Sequence, residues 1–548
     1  MVDGKNQNKI ISKLIQLSFI DYLIILFLIS STFLLNVYGG IWYDTVVTYK
    51  NILRTFEGQT IFIDYLCPFF PIINYFFVPF VYFLGIDYSI IIITFIFNSL
   101  FAFYLSKYLS HYFSIDRLLF FYIIFFFFIP FGIGSFHIDH AAIIFSTFAF
   151  FIFFKEEKAT FFSIILLVLS ILTKYSLSFI IIFSGVSTYL LYLFINKKFK
   201  KLKDICIYTF LTSGLLILFL VYYIYLSEFS IVDIYQYFSN QSVIADRRVN
   251  INNFFFLDQI KKISEFNSVG VFFQLPFILT MYFTLFYIIK NLLKKTKHKS
   301  IYLIIFFFLA HLLLFNFSGR DWNHKAIFGV ILFFLMIHIN LIKLDSTLAS
   351  NLFYKITTMI IFFIFMLIPL NERFDLKNLN IKNIFNEKLI KIENSRLYLS
   401  SSRSKFYEKH GIYEIPIQFN KINNFIVSNR LENKNYFFID EISSLFTIFL
   451  KTAPCDISCM NGDEFTPPKN SIVMENFWTN NFINKFDQKD GILIICKTQD
   501  NKFCSHKTNF NELDNKIEPG PRENFNLTFD NFINELNNIY KTKNFYLL

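Results

Sequence analysis

The sequence predicts a mainly α fold: a polytopic transmembrane helical bundle of about eleven spans, followed by a small C-terminal α/β extramembrane domain. Three observations carry this. Of 548 residues, 55% are hydrophobic and only 17% charged, with 80 Phe and 31 Tyr, whereas an average soluble chain is about 25% charged. The apolar residues crowd into positions 1–370, while 371–548 reads like an ordinary soluble chain. Basic residues are distributed unevenly among the connections between the apolar runs. So much Phe and Ile cannot be hidden inside a water-soluble globule. The hydrophobicity excludes a disordered chain, and apolar runs recurring far past residue 40 exclude a secreted domain behind a signal peptide.

A membrane helix needs roughly 17–25 mainly apolar residues. The expected spans are 15–38, 88–106, 118–134, 141–154, 159–173, 175–195, 205–227, 270–289, 300–317, 326–342 and 356–370. Two of them, 141–154 and 159–173, are short, which allows a paired or tilted hairpin. The apolar stretch 69–84 holds Pro71 and Pro79 and reads as a broken helix at the interface. With the N-terminus in the cytoplasm, the inside loops carry 19 Lys and Arg in 60 residues and the outside loops before residue 371 carry 9 in 106. That is the asymmetry of the positive-inside rule. Much of the net charge of +11 therefore reports orientation, and no nucleic-acid partner is expected.

An odd number of spans leaves 371–548 outside. There NYFFID (435–440) and GILIICKT (491–498) read as strands and EISSLFTIFLKTA (441–453) as a helix. Four of the six cysteines lie in this tail, Cys455, Cys459, Cys496 and Cys504, as an oxidising compartment allows. Close pairs, Cys455 with Cys459 and Cys496 with Cys504, are one arrangement, and a zinc site is the rival. The composition fits an AT-rich genome. The expected location is a bacterial inner membrane, crossed many times, with the C-terminal domain periplasmic.

Polar residues gather at the outer ends of the spans: Asp44, Glu57 and Asp64 in the first outer loop (39–87), then His137, Asp139 and His140, then Lys174, Asp246, Arg247 and Arg248, and finally Arg320, Asp321 and His324. A pump or channel places acids at mid-depth. This distribution instead suits a site at the membrane surface, open to lipid and water. In the first loop, 43–56 has helical spacing with Gly58 as its stop. Asp44 falls at the start of that helix, where the dipole favours a carboxylate; the alternative is a simple helix cap. His137, Asp139 and His140 form a candidate ligand set for a divalent metal ion, or else polar residues closing a loop.

The first loop resembles that of the GT-C membrane glycosyltransferases that use lipid phosphosugars. These include protein O-mannosyltransferase-like enzymes, lipid A aminoarabinose transferases and rhizobial lipopolysaccharide sugar transferases. The resemblance rests on Asp44, Tyr49, Gly58, Asp64-Tyr65, Pro68, Pro71 and Gly85. LSILTKYSLSF (169–179) is similar to the family's short-helix pair joined by a Thr-Lys turn, and GRDWNHKAIFGVILFF (319–334) to its late loop. Thr45 stands where many members carry a second acid, and His324-Lys325 where the late loop often has His-Tyr.

The resemblance covers roughly 15–345. It implies a catalytic domain over 1–370 and an inverting transfer of a sugar from a polyprenyl-phosphate donor to an envelope lipid, glycan or protein. It implies Asp44 as general base and Lys174, Arg320 and His324 on the donor phosphate. Asp139, from its place beside His137 and His140, is alternatively a second acid that orients the acceptor or holds a divalent metal with Asp44. Glu57, Asp64 and Tyr65 fall to acceptor or sugar binding, and membrane lipids are further partners. The alternatives are a transporter or flippase of a lipid-linked sugar, and an oligosaccharide polymerase or ligase. No internal symmetry of the kind a transporter shows is visible in the sequence.

Overall fold

The structure is a computed structural model. It describes residues 43–61, 63–65, 67, 70–113, 138–226, 230–233, 235, 269–294, 298–317 and 327–344, and beyond these 390–391, 398–399, 424, 426–428, 430, 435–438, 447, 451, 491–494 and 546–547. The described part is mainly helical: α1 Tyr43–Phe56, a 3₁₀ turn Pro71–Phe76, α2 Val78–Leu84, α3 Ile86–Phe113, α4 Ile138–Glu156, α5 Phe161–Ile195, α6 Leu202–Leu226, α7 Val269–Leu293, α8 Lys299–Phe317 and α9 Ile327–Leu344. Among the described residues, three stretches are long and apolar enough to cross a membrane: Ile138–Glu156, Phe161–Ile195 and Phe199–Leu226. Helices occupy eight of the eleven expected span positions, and 15–38, 118–134 and 356–370 lie outside the described residues.

The first loop follows its sequence closely. Helix α1 ends in a Schellman turn: the Gly58 amide donates to the Thr55 carbonyl at 3.3 Å and the Gln59 amide to the Arg54 carbonyl at 2.8 Å. Gly58 has φ 81°, a conformation that favours glycine. The stretch 69–84 is indeed broken, into the 3₁₀ turn and α2, each with a proline in its first turn. Tyr75, Phe76, Tyr82 and Phe83 stand exposed along it, as aromatic anchors at a membrane interface do.

Helix α4 is apolar all round and buried along nearly its whole length, the pattern of a central helix. It runs parallel to α3, with Phe97 on Phe145, Phe101 on Phe148 and Tyr108 stacked on Phe151 at 4.2 Å. The Phe150 ring stacks on Phe306 of α8 at 4.2 Å and on Phe154 at 5.4 Å. Phe306 and Phe307 carry the contact on to Phe328 of α9. Helix α6 lies at the margin: only Thr212 and Tyr223 are buried, and Phe210, Leu218, Val221 and Tyr225 face outward.

Helix α5 reverses direction. Lys174 leaves helical geometry (φ −157°, ψ 94°) in its middle. The hydroxyls of Ser170 and Ser178 lie 2.5 Å apart, and Ser178 donates to the Ser170 carbonyl at 2.8 Å. Eight residues of straight helix would separate them by about 12 Å. Contacts with α4 agree: Ala142 meets Ser170, and Phe153, eleven residues on, meets Tyr189, which is eleven residues beyond Ser178. The halves 161–173 and 175–195 are thus a hairpin, in keeping with the separate expected spans 159–173 and 175–195 on either side of Lys174. The Phe161 start is fixed by a capping box between Thr160 and Ser163.

The opposite end of this hairpin is tied by Glu157. Its carboxylate meets Lys198 at 3.1 Å and Lys299 at 2.9 Å and accepts from the Tyr192 hydroxyl at 2.7 Å. Burial pushes the carboxyl up, but hydrogen bonds from Tyr192, Lys299 and Lys198 outweigh this and bring it down from 4.5 to about 2. In the C-terminal region, Asn435–Phe438 and Gly491–Ile494 pair as parallel strands at the two expected positions, with Tyr546–Leu547 beside the second. Ile390–Lys391 pairs antiparallel with Tyr398–Leu399. Of the expected helix 441–453, only Thr447 and Lys451 are described.

Two outcomes follow for the purified protein. A Cβ at Gly185 would sit 2.7 Å from a Phe150 ring that is already held by its stacking partners. Gly185→Ala is therefore expected to cost about 1–3 kcal/mol in detergent unfolding, whereas Gly214→Ala, with nothing within 4 Å, is expected to cost nothing. Because the folded pKa of Glu157 is depressed, its stabilisation is present above pH 4.5 and lost as pH falls toward about 2. Glu157→Gln should lower the melting temperature at pH 6–7, and the gap from wild type should close on acidification; a constant gap would remove this linkage.

Candidate functional site

The end of the bundle that carries Lys174 also carries the first loop. Where the helix breaks, the carbonyl of Leu172 accepts from the Phe70 amide at 3.1 Å, so the loop backbone takes up a group the interrupted helix leaves open. The Phe70 ring packs edge-on against Phe219 and Tyr223 of α6, each at 5.2 Å. Loop, hairpin tip and the last turns of α6 thus form one surface.

At its centre, Asp139 in the first turn of α4 pairs with Lys174 at the hairpin tip. Asp139 is 4% exposed and Lys174 34%. The carboxylate is sheltered while its cation reaches solvent. Serine hydroxyls hold the tip: Ser170 donates to the Ala142 carbonyl at 2.9 Å, and Ser178 to the Lys174 carbonyl at 2.9 Å. His140, next to Asp139, is buried as well.

The loop residues occupy defined places. Asp64 accepts from the Thr60 amide at 2.7 Å and so closes the turn it sits in. The Tyr65 ring is fully buried under the Arg54 guanidinium, 4.4 Å away. Burial pushes the Tyr65 hydroxyl well up, with Arg54 opposing. Glu57 is exposed just past α1. Asp44 is the second residue of α1, and for it the structure describes the backbone alone. Arg320, His324 and His137 lie outside the described residues, as do Asp246, Arg247 and Arg248. The structure therefore brings Asp139 and Lys174 together with His140 next to Asp139, sets the loop beside them, commits Asp64 and Tyr65 to the loop's own architecture, leaves Glu57 exposed, and does not describe the Asp44 side chain, His137, Arg320 or His324.

For a metal ion, Asp139 and His140 are the described members of the expected set. Among the described residues no group of three such side chains could hold an ion, and Asp139 already faces a cation.

Several polar groups on this surface escape the sequence pattern. Lys50 and Arg54, one turn apart on α1, are fully buried. Arg54 also donates to Gln59 at 3.1 Å. The Tyr49 hydroxyl donates to Asp87 at 3.0 Å, and Lys451 from the C-terminal region meets the other Asp87 oxygen at 3.5 Å. Burial and then the Asp87 charge push the Tyr49 hydroxyl up. The four-residue spacing of Lys50 and Arg54 on a predicted helix was a signal for a shared face; nothing local announced Lys451.

No family model, no curated protein and no solved structure matches this chain. What the site does has to be argued from its residues.

The ion pair gives a direct test. Lys174→Met leaves the Asp139 carboxylate sheltered without its cation. The expected cost is about 2–3 kcal/mol, below the 3–5 of a fully buried pair because Lys174 is one-third exposed. Adding Asp139→Leu should recover most of it, and unfolding of the two single variants and the double variant closes the cycle.

Proposed function

We propose that the chain is an inverting membrane glycosyltransferase of GT-C type, moving a sugar from a polyprenyl-phosphate donor to an envelope lipid, glycan or protein. The reaction is set on the outer face of a bacterial inner membrane. The observation that carries this reading is the Asp139–Lys174 pair beside the first loop at one end of an apolar bundle. A sheltered acid beside a cation that reaches solvent suits the phosphate of a lipid-linked donor, and this supports the reading. Within the described helices the acids Asp87, Asp139, Glu156 and Asp204 all fall in a first or last turn, which disfavours the transporter alternative with its mid-depth acids.

The chemistry asks for two things. The acceptor hydroxyl loses its proton to a carboxylate as its oxygen bonds to the anomeric carbon. The bond from that carbon to the phosphate oxygen breaks, and the leaving phosphate keeps the electron pair. Asp44 is the proposed base, worth about 10²–10⁴-fold. Asp139 holds the acceptor or serves as the second acid. Lys174, with Arg320 and His324, meets the charge that develops on the phosphate. A single displacement inverts the sugar and needs no second nucleophile. In this reading residues 371–548 form the periplasmic α/β domain, and Glu57, Asp64 and Tyr65 shape the acceptor side.

Membranes holding the full chain and a labelled polyprenyl-phosphate hexose or pentose should pass the sugar to an envelope fraction. Asp44→Asn should lower transfer about 10²–10⁴-fold, and near wild-type turnover would end its role. Arg320→Gln should weaken donor binding. Movement of the intact donor across the vesicle membrane with no sugar transferred would overturn the enzyme reading in favour of a flippase.

A further inference from the structure

The turn between the second hairpin arm and α6 holds Lys197, Lys198, Lys200, Lys201 and Lys203. These lysines fall into two groups. Lys198 reaches Glu157 at 3.1 Å, and Lys201 meets Asp204 at 3.8 Å and donates to the Glu157 carbonyl at 3.2 Å. Lys299 takes Glu157 as well, so the carboxylates nearest this turn are occupied. Lys197, Lys200 and Lys203 are exposed, and among the described residues no carboxylate pairs with any of them. They recur every third residue, through the 3₁₀ turn Phe199–Lys201 and into the first turn of α6.

Lys203 heads the outward face of α6. At helical spacing beyond it come Ile207, Phe210, Gly214 and Ile217. Phe210 is 77% exposed and Ile217 58%. A Cβ at Gly214 would meet nothing within 4 Å, so the face carries a notch between them. From Lys203 to Gly214 is about 16 Å of helix, and half of a bilayer's hydrocarbon core is about 15 Å. Uncompensated cations thus head an open apolar stripe one leaflet long.

We propose that this margin of α6 binds one phospholipid of net negative charge, its phosphate among Lys197, Lys200 and Lys203 and its chains along the stripe from Ile207 toward Gly214. The two parts of the site match the two parts of such a molecule. Clustered lysines beside a membrane attract anionic lipid, and the bare Phe210 ring is covered by hydrocarbon. A soluble acidic partner would meet the lysines and leave that ring in water. A zwitterionic lipid would cover the ring but bring a further cation to the three ammonium groups. The inference rests on the bundle lying in a membrane, and it is independent of the transferase reading.

The test uses the purified full chain in non-ionic detergent, titrated with phosphatidylglycerol and with phosphatidylcholine, with bound lipid counted by native mass spectrometry. Phosphatidylglycerol should bind the tighter. Combining Lys197→Gln, Lys200→Gln and Lys203→Gln should weaken it about a hundredfold, at about fivefold per lysine, and leave phosphatidylcholine unmoved; arginine at the same three positions should keep the preference. A matched variant combines Lys107→Gln, Lys290→Gln and Lys294→Gln, exposed lysines of α3 and α7 and the residues following α7. It should bind phosphatidylglycerol as wild type does, and an equal loss would make the attraction a property of the whole basic end and overturn the site. Phe210→Ser should weaken both lipids about tenfold; unchanged binding would overturn the placement of the chains. Equal affinity for the two lipids would overturn the proposal, as would glycerophosphoglycerol, the head group without chains, binding as tightly as the lipid.

Discussion

The reversal of the chain at Lys174 rests on an ion pair and a handful of hydroxyl groups. An interrupted helix leaves carbonyls without partners, and in an apolar bundle each carries a cost of several kcal/mol. Here the Phe70 amide donates to the Leu172 carbonyl and the Ser178 hydroxyl to those of Ser170 and Lys174, while the Ser170 hydroxyl donates to the Ala142 carbonyl of α4 and ties the tip to that helix. The Lys174 charge, brought to the tip by the break, is met by the Asp139 carboxylate from the neighbouring helix. Remove that compensation and the straight helix, with its own carbonyls paired, becomes the competitor. The position of the first loop follows from the same arrangement, since its backbone is one of the donors.

Below the tip, aromatic side chains do the packing. Phe150 lies between Phe154, Phe306 and the bare backbone of Gly185, and this close approach lets α4, α5 and α8 share one seam. Among the described residues of the bundle, the carboxylates, lysines and arginines gather toward the two ends. At one, Glu157 gathers Lys198, Lys299 and Tyr192. At the other are Asp139, Lys174 and the loop. Two ionic ends on an apolar barrel of rings form a layered object, and the layering gives the site its orientation.

Features written locally were legible in the sequence. Helix α1 and its Gly58 stop, the Pro71 and Pro79 breaks, the two separate spans flanking Lys174, and the strands near 435 and 491 all appear where period, proline and glycine place them. The approach of Asp139 to Lys174 was less visible, because both were read as separate end groups, one for a proton or metal and one for a phosphate. Asp87 with Lys451 and the buried Lys50 and Arg54 were not read at all. These join positions far apart in the chain, or hide charges behind neighbours that periodicity does not name. A Lys in a soluble-looking tail carries no mark of the carboxylate it will meet more than 350 residues away.

The length of α4 fixes the depth of the hairpin tip. Asp139, which holds Lys174, and Glu157, which gathers Tyr192 and Lys299, are eighteen residues apart, about 27 Å along a helix axis, and a bilayer's hydrocarbon core is about 30 Å thick. On a membrane-spanning reading the ammonium group of Lys174 and the carboxylate of Glu157 therefore stand near opposite water boundaries. Residues 161–173 alone rise only about 20 Å, so the link 157–160 makes up the remaining height as irregular backbone, and its polar groups are the ones that water at that boundary can reach.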